Sequence, residues 1–225
     1  MNTPDPRSPR RTDALSRERI VEATIEILDT AGENGLTLRA VTAHLSTGRG
    51  AIYHHVINKD ELLAAAAEGV IGPVLARTAG DTEPRAAIRT LALGIFDAID
   101  RHPWVGTQLS REPLQPAVRQ IWTAVGAQLH RLGISGTALS DAGSALVSYV
   151  LGAAAQYAAG ARRSPDAATR QRYLEHLAEQ WARLDPDPLV QTSAAALAEH
   201  DDREQFLAGV DIFIAGVTSG DSGGD

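Results

Sequence analysis

Between a proline-bearing arm and a tail of glycine, serine and aspartate, apolar residues recur at helical spacing almost everywhere. No clean run of β-branched residues alternates with polar ones. An apolar stripe with a period of about 3.6 residues is buried by a helix, whereas a strand buries every second residue. The pattern therefore predicts an all-α fold. Residues 1–15 carry Pro4, Pro6 and Pro9 among Arg7, Arg10 and Arg11, and are expected to form a disordered basic arm; residues 218–225 are expected to be a disordered tail. The 225 residues, 44% hydrophobic and 22% charged, have an ordinary globular balance and suffice for a small and a larger helical domain, placed at 16–76 and 77–217.

Several function classes drop out. Cysteine is absent, which removes disulfides and thiolate metal sites and makes a cytoplasmic location the simplest expectation. The histidines and carboxylates are scattered apart from the adjacent His54 and His55, which would point about 100° apart on a helix and not share an ion, so neither a metal nor another cofactor is expected. No phosphate-binding loop, dinucleotide fingerprint, nucleophile elbow or HExxH motif occurs, and the chain does not read as an enzyme. Polar or glycine breaks at Gly143, Ser144, Ser148, Gly152 and Gln156 interrupt the most apolar stretch, so no run reaches the roughly 18 residues of a membrane span.

The net charge of -7 argues at first against a nucleic-acid partner, but the charge is unevenly placed. Residues 1–60 hold eight Arg/Lys and eight Asp/Glu, so the whole acidic excess lies downstream. A neutral N-terminal quarter on an acidic body suits a small DNA-facing module, although many enzymes have uneven charge too.

Local signals divide that quarter into helices. Ser16 is placed to cap a first helix that Gly32 ends, and Thr37 caps a second, from Leu38 to about Leu45. Ser46, Thr47 and Gly48 make a tight break before a short helix from Arg49 to His55. Asn58, with Glu61 three residues on, opens a longer helix. Two short helices across a tight turn, with flanking helices, form the helix-turn-helix layout. Val41, Leu45, Ile52 and Val56 would hold the pair together, leaving Arg49, Gly50, Tyr53 and His54 outward. Arginine can bond guanine in the major groove, and the small Gly50 and Ala51 allow close approach. Tyr53 and His54 can donate to phosphate, although Tyr53 would also serve as packing against the first helix. Lys59, the sole lysine, sits where a helix N-terminus can hold a phosphate.

The strings Ile20-x-x-Ala23, Gly35-Leu36-Thr37-Leu38-Arg39 and Gly50-Ala51-Ile52-Tyr53-His54-His55-Val56-x-Asn58-Lys59-Asp60-Glu61-Leu62-Leu63 resemble the DNA-binding domain of the TetR family of bacterial regulators. The resemblance implies that Arg39, Thr47, Arg49, Gly50, Ala51, Tyr53, His54 and Lys59 contact double-stranded DNA, as a palindromic operator read by a homodimer. The chain departs from the family where Ser46 stands in place of the usual turn glycine, so this serine must take that backbone shape.

Downstream, helices are expected near 83–101, 103–110, 115–132, 137–161, 166–184 and 203–217, with 185–202 a loop holding one short helical turn. His102-Pro103-Trp104, Leu146 to Gly152, and Arg203 to Gly216 are similar to the larger domain of the subgroup that includes the tetracycline repressor. That likeness implies an effector-binding and dimerisation domain. Ala142, Ala145, Val150 and Ala153 on one helix, and Phe206, Val210 and Phe213 on the last, are the expected two-fold interface. Leu93, Phe96, Trp104, Val118 and Trp122 are the expected walls of a pocket for a small-molecule effector. Both sets would equally serve as ordinary core. The function expected is a repressor released from DNA by its effector; the alternative is a dimeric DNA-binding regulator with no effector, whose body serves only dimerisation or partner recruitment.

Overall fold

The computed structural model describes residues 16–48, 50, 58–78, 83–112, 114–161 and 166–219. Every regular element among them is helical: α1 (Arg17–Gly35), α2 (Leu38–His44), α3 (Lys59–Ala76), α4 (Pro84–Arg101), α5 (Pro103–Arg111), α6 (Pro116–Arg131), α7 (Gly136–Ala161), α8 (Ala167–Leu184), α9 (Pro188–Ala198) and α10 (Asp202–Ser219). Two compact units meet between Ala66 and Ala67, inside α3, rather than after residue 76. The reason is that Ala67 and Ile71 already belong to the core of the second unit.

In the first unit, the Ser16 hydroxyl caps α1 by accepting from the Arg19 amide at 3.3 Å. Ile20, Ala23, Thr24, Ile27 and Leu28 line its buried face, joined in the interior by Leu36, Val41, Leu62 and Leu63. Thr24 stays satisfied there by donating to the Ile20 carbonyl at 2.7 Å. Gly32 leaves the helical region, with φ 64° and ψ −173°, and only a short turn follows to Gly35. A left-handed φ favours glycine, which is why the helix breaks there.

The second unit is built around α7, which packs against α4, α5, α6 and α10. Its core includes Ile88, Leu91, Ile95 and Ile99 of α4, Ile121 and Val125 of α6, Leu146, Val147 and Val150 of α7, and Phe206, Val210 and Ile214 of α10. Each such side chain contributes roughly 1.5–3 kcal/mol when fully buried. The stretch Gly136–Gly160 is, against the sequence expectation, long and apolar enough to cross a membrane by length and composition alone. Glycine, alanine and serine dilute its apolarity too little to fail that test. In this fold it serves as the central core helix.

Proline sets the start of four helices. Pro84, Pro103, Pro116 and Pro188 all occupy the first turn, where a missing amide leaves no bond unmade. At α4 the Glu83 carboxylate accepts from the amides of Arg85 and Ala86, and these bonds hold its carboxyl below the ordinary range. The same logic corrects one expectation: 185–202 contains the full helix α9. Asp187 caps it, accepting from the Leu189 amide at 2.7 Å, and Pro188 follows in the first turn. The Asp-Pro pair reads as a loop breaker but here begins a helix. The start of α8 is tied to that of α10, where Arg170 donates to both Asp202 oxygens at 2.5 Å and His200 Nε2 lies 2.7 Å from the same carboxylate.

The α7–α10 contact depends on a missing side chain. Tyr149 donates to the Phe206 carbonyl at 3.0 Å and stacks on the Phe206 ring, centroids 5.7 Å apart. Its hydroxyl end occupies the space where a Cβ at Gly209 would stand. Burial raises the Tyr149 pKa, so its contribution is present below the unfolded value of about 10 and is lost as pH climbs through the raised folded value. Gly209→Ala should expel the ring and cost roughly 1–3 kcal/mol, against about 1 kcal/mol for Tyr149→Phe. Urea denaturation of both variants checks the order; a Gly209→Ala protein as stable as wild type would contradict this packing.

Candidate DNA interface and regulatory body

The DNA-facing module turns on the end of α2. Thr37 begins this helix by accepting from the Ala40 amide at 3.0 Å, and Val41 is fully buried. At the other end the Ser46 amide bonds the Ala43 carbonyl at 3.2 Å, and the Thr47 amide bonds the Thr42 carbonyl at 3.0 Å. These are the two bonds of a Schellman closure, which needs a left-handed residue after the helix cap. Ser46 is that residue, with φ 49°, and no other described non-glycine residue has a positive φ. The substitution of serine for the family's glycine leaves the turn intact. His44 Nε2 lies 2.9 Å from Glu26 of α1 and fastens this end of α2.

Of the residues expected to contact DNA, Arg39 and Gly50 are exposed and Thr47 is half-buried. A Cβ at Gly50 would meet nothing within 4 Å, so the backbone there is open to close approach. Arg49, Ala51, Tyr53 and His54 lie outside the described residues, as does the helix expected around them apart from Gly50.

Lys59 has a partner that the sequence did not suggest. Its ammonium donates to the Glu33 carbonyl at 2.7 Å, just past the break at Gly32. The same carbonyl also accepts from the Leu36 amide at 3.2 Å, and a cation suits the negative end of a helix. The neighbouring Asn58 side chain accepts from the Glu61 amide at 2.8 Å, the expected cap of α3. Lys59 thus ties α3 to α1, and its remaining N–H groups stand in the first turn of α3.

In the body, the five expected pocket residues take different places. Phe96 packs on Phe206 and Tyr157, with ring centroids 4.9 and 6.0 Å away. Trp122 is 36% exposed, and its ring edge would lie 3.0 Å from a Cβ at Gly143. Val118 is core, while Leu93 and Trp104 are half-buried against the core. Between α4, α6 and α7 the interior holds a cavity of only about 10 Å³, lined by Ile95, Ile121, Val147 and other apolar side chains. That is about the least space a water needs.

The expected interface residues divide differently. Ala142, Val150, Phe206 and Val210 are buried in their own chain, and Ala153 and Phe213 pack partly against the same core; Ala145 is exposed. Most of the expected set thus faces the chain's own core, because an apolar stripe looks alike whether it faces a core or a partner. The exposed faces of the same two helices carry Ala145, which was expected, together with Ser148 and Gly152 on α7 and Ala208, Ile212 and Ala215 on α10, which were not. Ile212 is 74% exposed, and its period with Ala208 and Ala215 was the available signal.

The family model described as "Bacterial regulatory proteins, tetR family" matches residues 20–66. The HTH-type transcriptional repressor DrrR1 of Streptomyces coeruleorubidus is 33% identical over 150 residues, which is 66% of this chain and only 55% of that protein's length. The transcriptional regulator SCO7222, a TetR from Streptomyces coelicolor, is 43% identical, covers 91% of this chain and 98% of its own, and superimposes with a TM-score of 0.83. The Streptomyces coelicolor protein ActR, solved in complex with actinorhodin, shares the fold at 23% identity and a TM-score of 0.74, over 92% of this chain and 99% of that one. The relatives are regulators and not enzymes. With its helix-turn-helix module and helical body, the chain belongs to the TetR family of bacterial transcriptional regulators.

Proposed function

We propose that this regulator binds an operator as a homodimer, represses transcription there, and is released by a small-molecule effector. The observation that carries the reading is the closure at Ser46, which fixes the chain direction from α2 into the segment that bears Arg49 and Gly50. In a helix-turn-helix that direction decides whether the second helix enters the major groove. The name of DrrR1, a repressor, supports the direction of control, and ActR shows the fold accommodating a small molecule, actinorhodin. The cavity of only about 10 Å³ between α4, α6 and α7 favours a second reading, in which the body serves only dimerisation or partner recruitment.

DNA contacts on this reading separate into two kinds. Arg49 reads bases, while Lys59 and the N-terminus of α3 hold a phosphate. Arg49→Ala should lose roughly 1–3 kcal/mol on operator and little on random DNA. Lys59→Ala should weaken both and lower the salt slope by about one phosphate, with a fall in melting temperature because the bond to Glu33 goes too. Titrations at several salt concentrations test this; equal losses on both DNAs for Arg49→Ala would reassign it to the backbone.

The dimer is formed by the outward strips of α7 and α10, whose small residues permit close helix approach around Ile212. Two such pairs about a two-fold axis would set the DNA-reading helices about 35 Å apart, one helical turn. Gly152→Glu and Ile212→Glu together should give monomers with unchanged helical content. Sedimentation that still shows dimers would place the interface elsewhere.

A further inference from the structure

More open space lies on the outside of the same bundle than between α4, α6 and α7. A groove of about 1060 Å³ runs between the C-terminal end of α3 and one flank of α6. Its floor is apolar, from Leu75, Ala124 and Ala127, and its rim carries two cations, Arg119 and Arg131. Arg131 donates to Gln128 Oε1 at 3.0 Å, which keeps its guanidinium beside the groove. The Arg119 guanidinium is exposed and takes no acceptor among the described residues. Thr123 adds a hydroxyl between the arginines, although that hydroxyl itself donates to the Arg119 carbonyl at 2.9 Å. Gln120 bonds Glu68 of α3 at 2.8 Å, clasping the two walls.

We infer that this groove binds a small monoanionic amphipath, its carboxylate or sulfonate on Arg119 and Arg131 and its apolar body along Leu75, Ala124 and Ala127. The proposal rests on the reading that an effector exists and names its charge class and its place. Planar guanidinium donors match the paired oxygens of such an anion, and an apolar floor with few convergent polar groups is the ordinary composition of a ligand site. The volume is at the upper end of those sites. None of the five residues expected as pocket walls lines it, so the site is distinct from the interior. Its α3 wall ends the same helix that begins at Lys59, which gives a bound ligand a lever on the N-terminal half of α3.

The test uses the full chain with two fluorescent probes that share a ring system, the anion anilinonaphthalene sulfonate and the neutral phenylnaphthylamine. Arg119→Ala should weaken the anion by about ten-fold or more and spare the neutral probe; Ala127→Trp, which fills the floor, should weaken both. Both substitutions lie on the exposed flank of α6, and circular dichroism melts verify the fold. Equal anion affinity in wild type and in the Arg119→Ala, Arg131→Ala double variant would overturn the groove. Operator titrations with the anion present form the second arm. Operator release by the anion that Arg119→Ala abolishes supports both site and effector reading. Anion binding through Arg119 that leaves operator affinity unchanged keeps the site and overturns its regulatory role. Release that persists undiminished in the double variant overturns the groove and leaves the effector reading standing.

Discussion

Ser46 sits with its φ at 49°, a region that an L-residue with a Cβ enters at a cost of roughly 1 kcal/mol. Everything that makes the N-terminal unit a DNA-reading module depends on that cost being met. Two amide bonds, from Ser46 and Thr47 back onto the last turn of α2, hold the serine in place, and the contact of His44 Nε2 with the Glu26 carboxylate fixes the helix they cap. A residue relaxed into the ordinary helical region would let α2 run on and redirect the segment carrying Arg49 and Gly50. Serine carries no branch at Cβ, so it meets less strain there than a β-branched residue would, and Gly48 leaves the backbone after the turn unrestricted.

The body rests on a different constraint, the close packing of a long helix rich in small residues. Because α7 presents alanines and glycines to its neighbours, the surrounding helices come near enough for Trp122 to lie over Gly143 and for Gly106 of α5 to sit against Ala155. Between α4, α6 and α7 only about 10 Å³ is then left open. A filled core has few low-cost ways to admit a ligand, whereas a surface groove requires no helices to part. Coupling of ligand to DNA needs only a differential affinity of about 1–3 kcal/mol between states of α3, so a groove wall on that helix is physically sufficient.

Much of this was legible in the residues. Caps at Ser16, Thr37 and Asn58 fixed helix starts because their chemistry is local, and Ser46 betrayed its φ by standing where a glycine was expected. The helix α9 was misread because Asp187-Pro188 is both a turn signal and an N-terminal signal, and only the packing of α9 on α8 decides between them. The inward set of Phe206 and Val210 was indistinguishable from an interface because periodicity gives a face and not what covers it. Lys59 was placed on a phosphate without its bond to Glu33, a contact across 26 positions that no local pattern encodes. The groove was invisible because Arg119 and Arg131 read singly as solvated helix residues until α3 supplied the second wall.

The most direct test of the account is the operator affinity of two Ser46 variants beside wild type. Ser46→Gly relieves the left-handed strain, so it should keep operator affinity and raise the melting temperature. Ser46→Val puts a β-branched residue at φ 49°, and should cut operator affinity by about ten-fold or more while random-DNA binding changes little. Wild-type operator affinity in Ser46→Val would contradict the claim that this turn aims the chain at DNA.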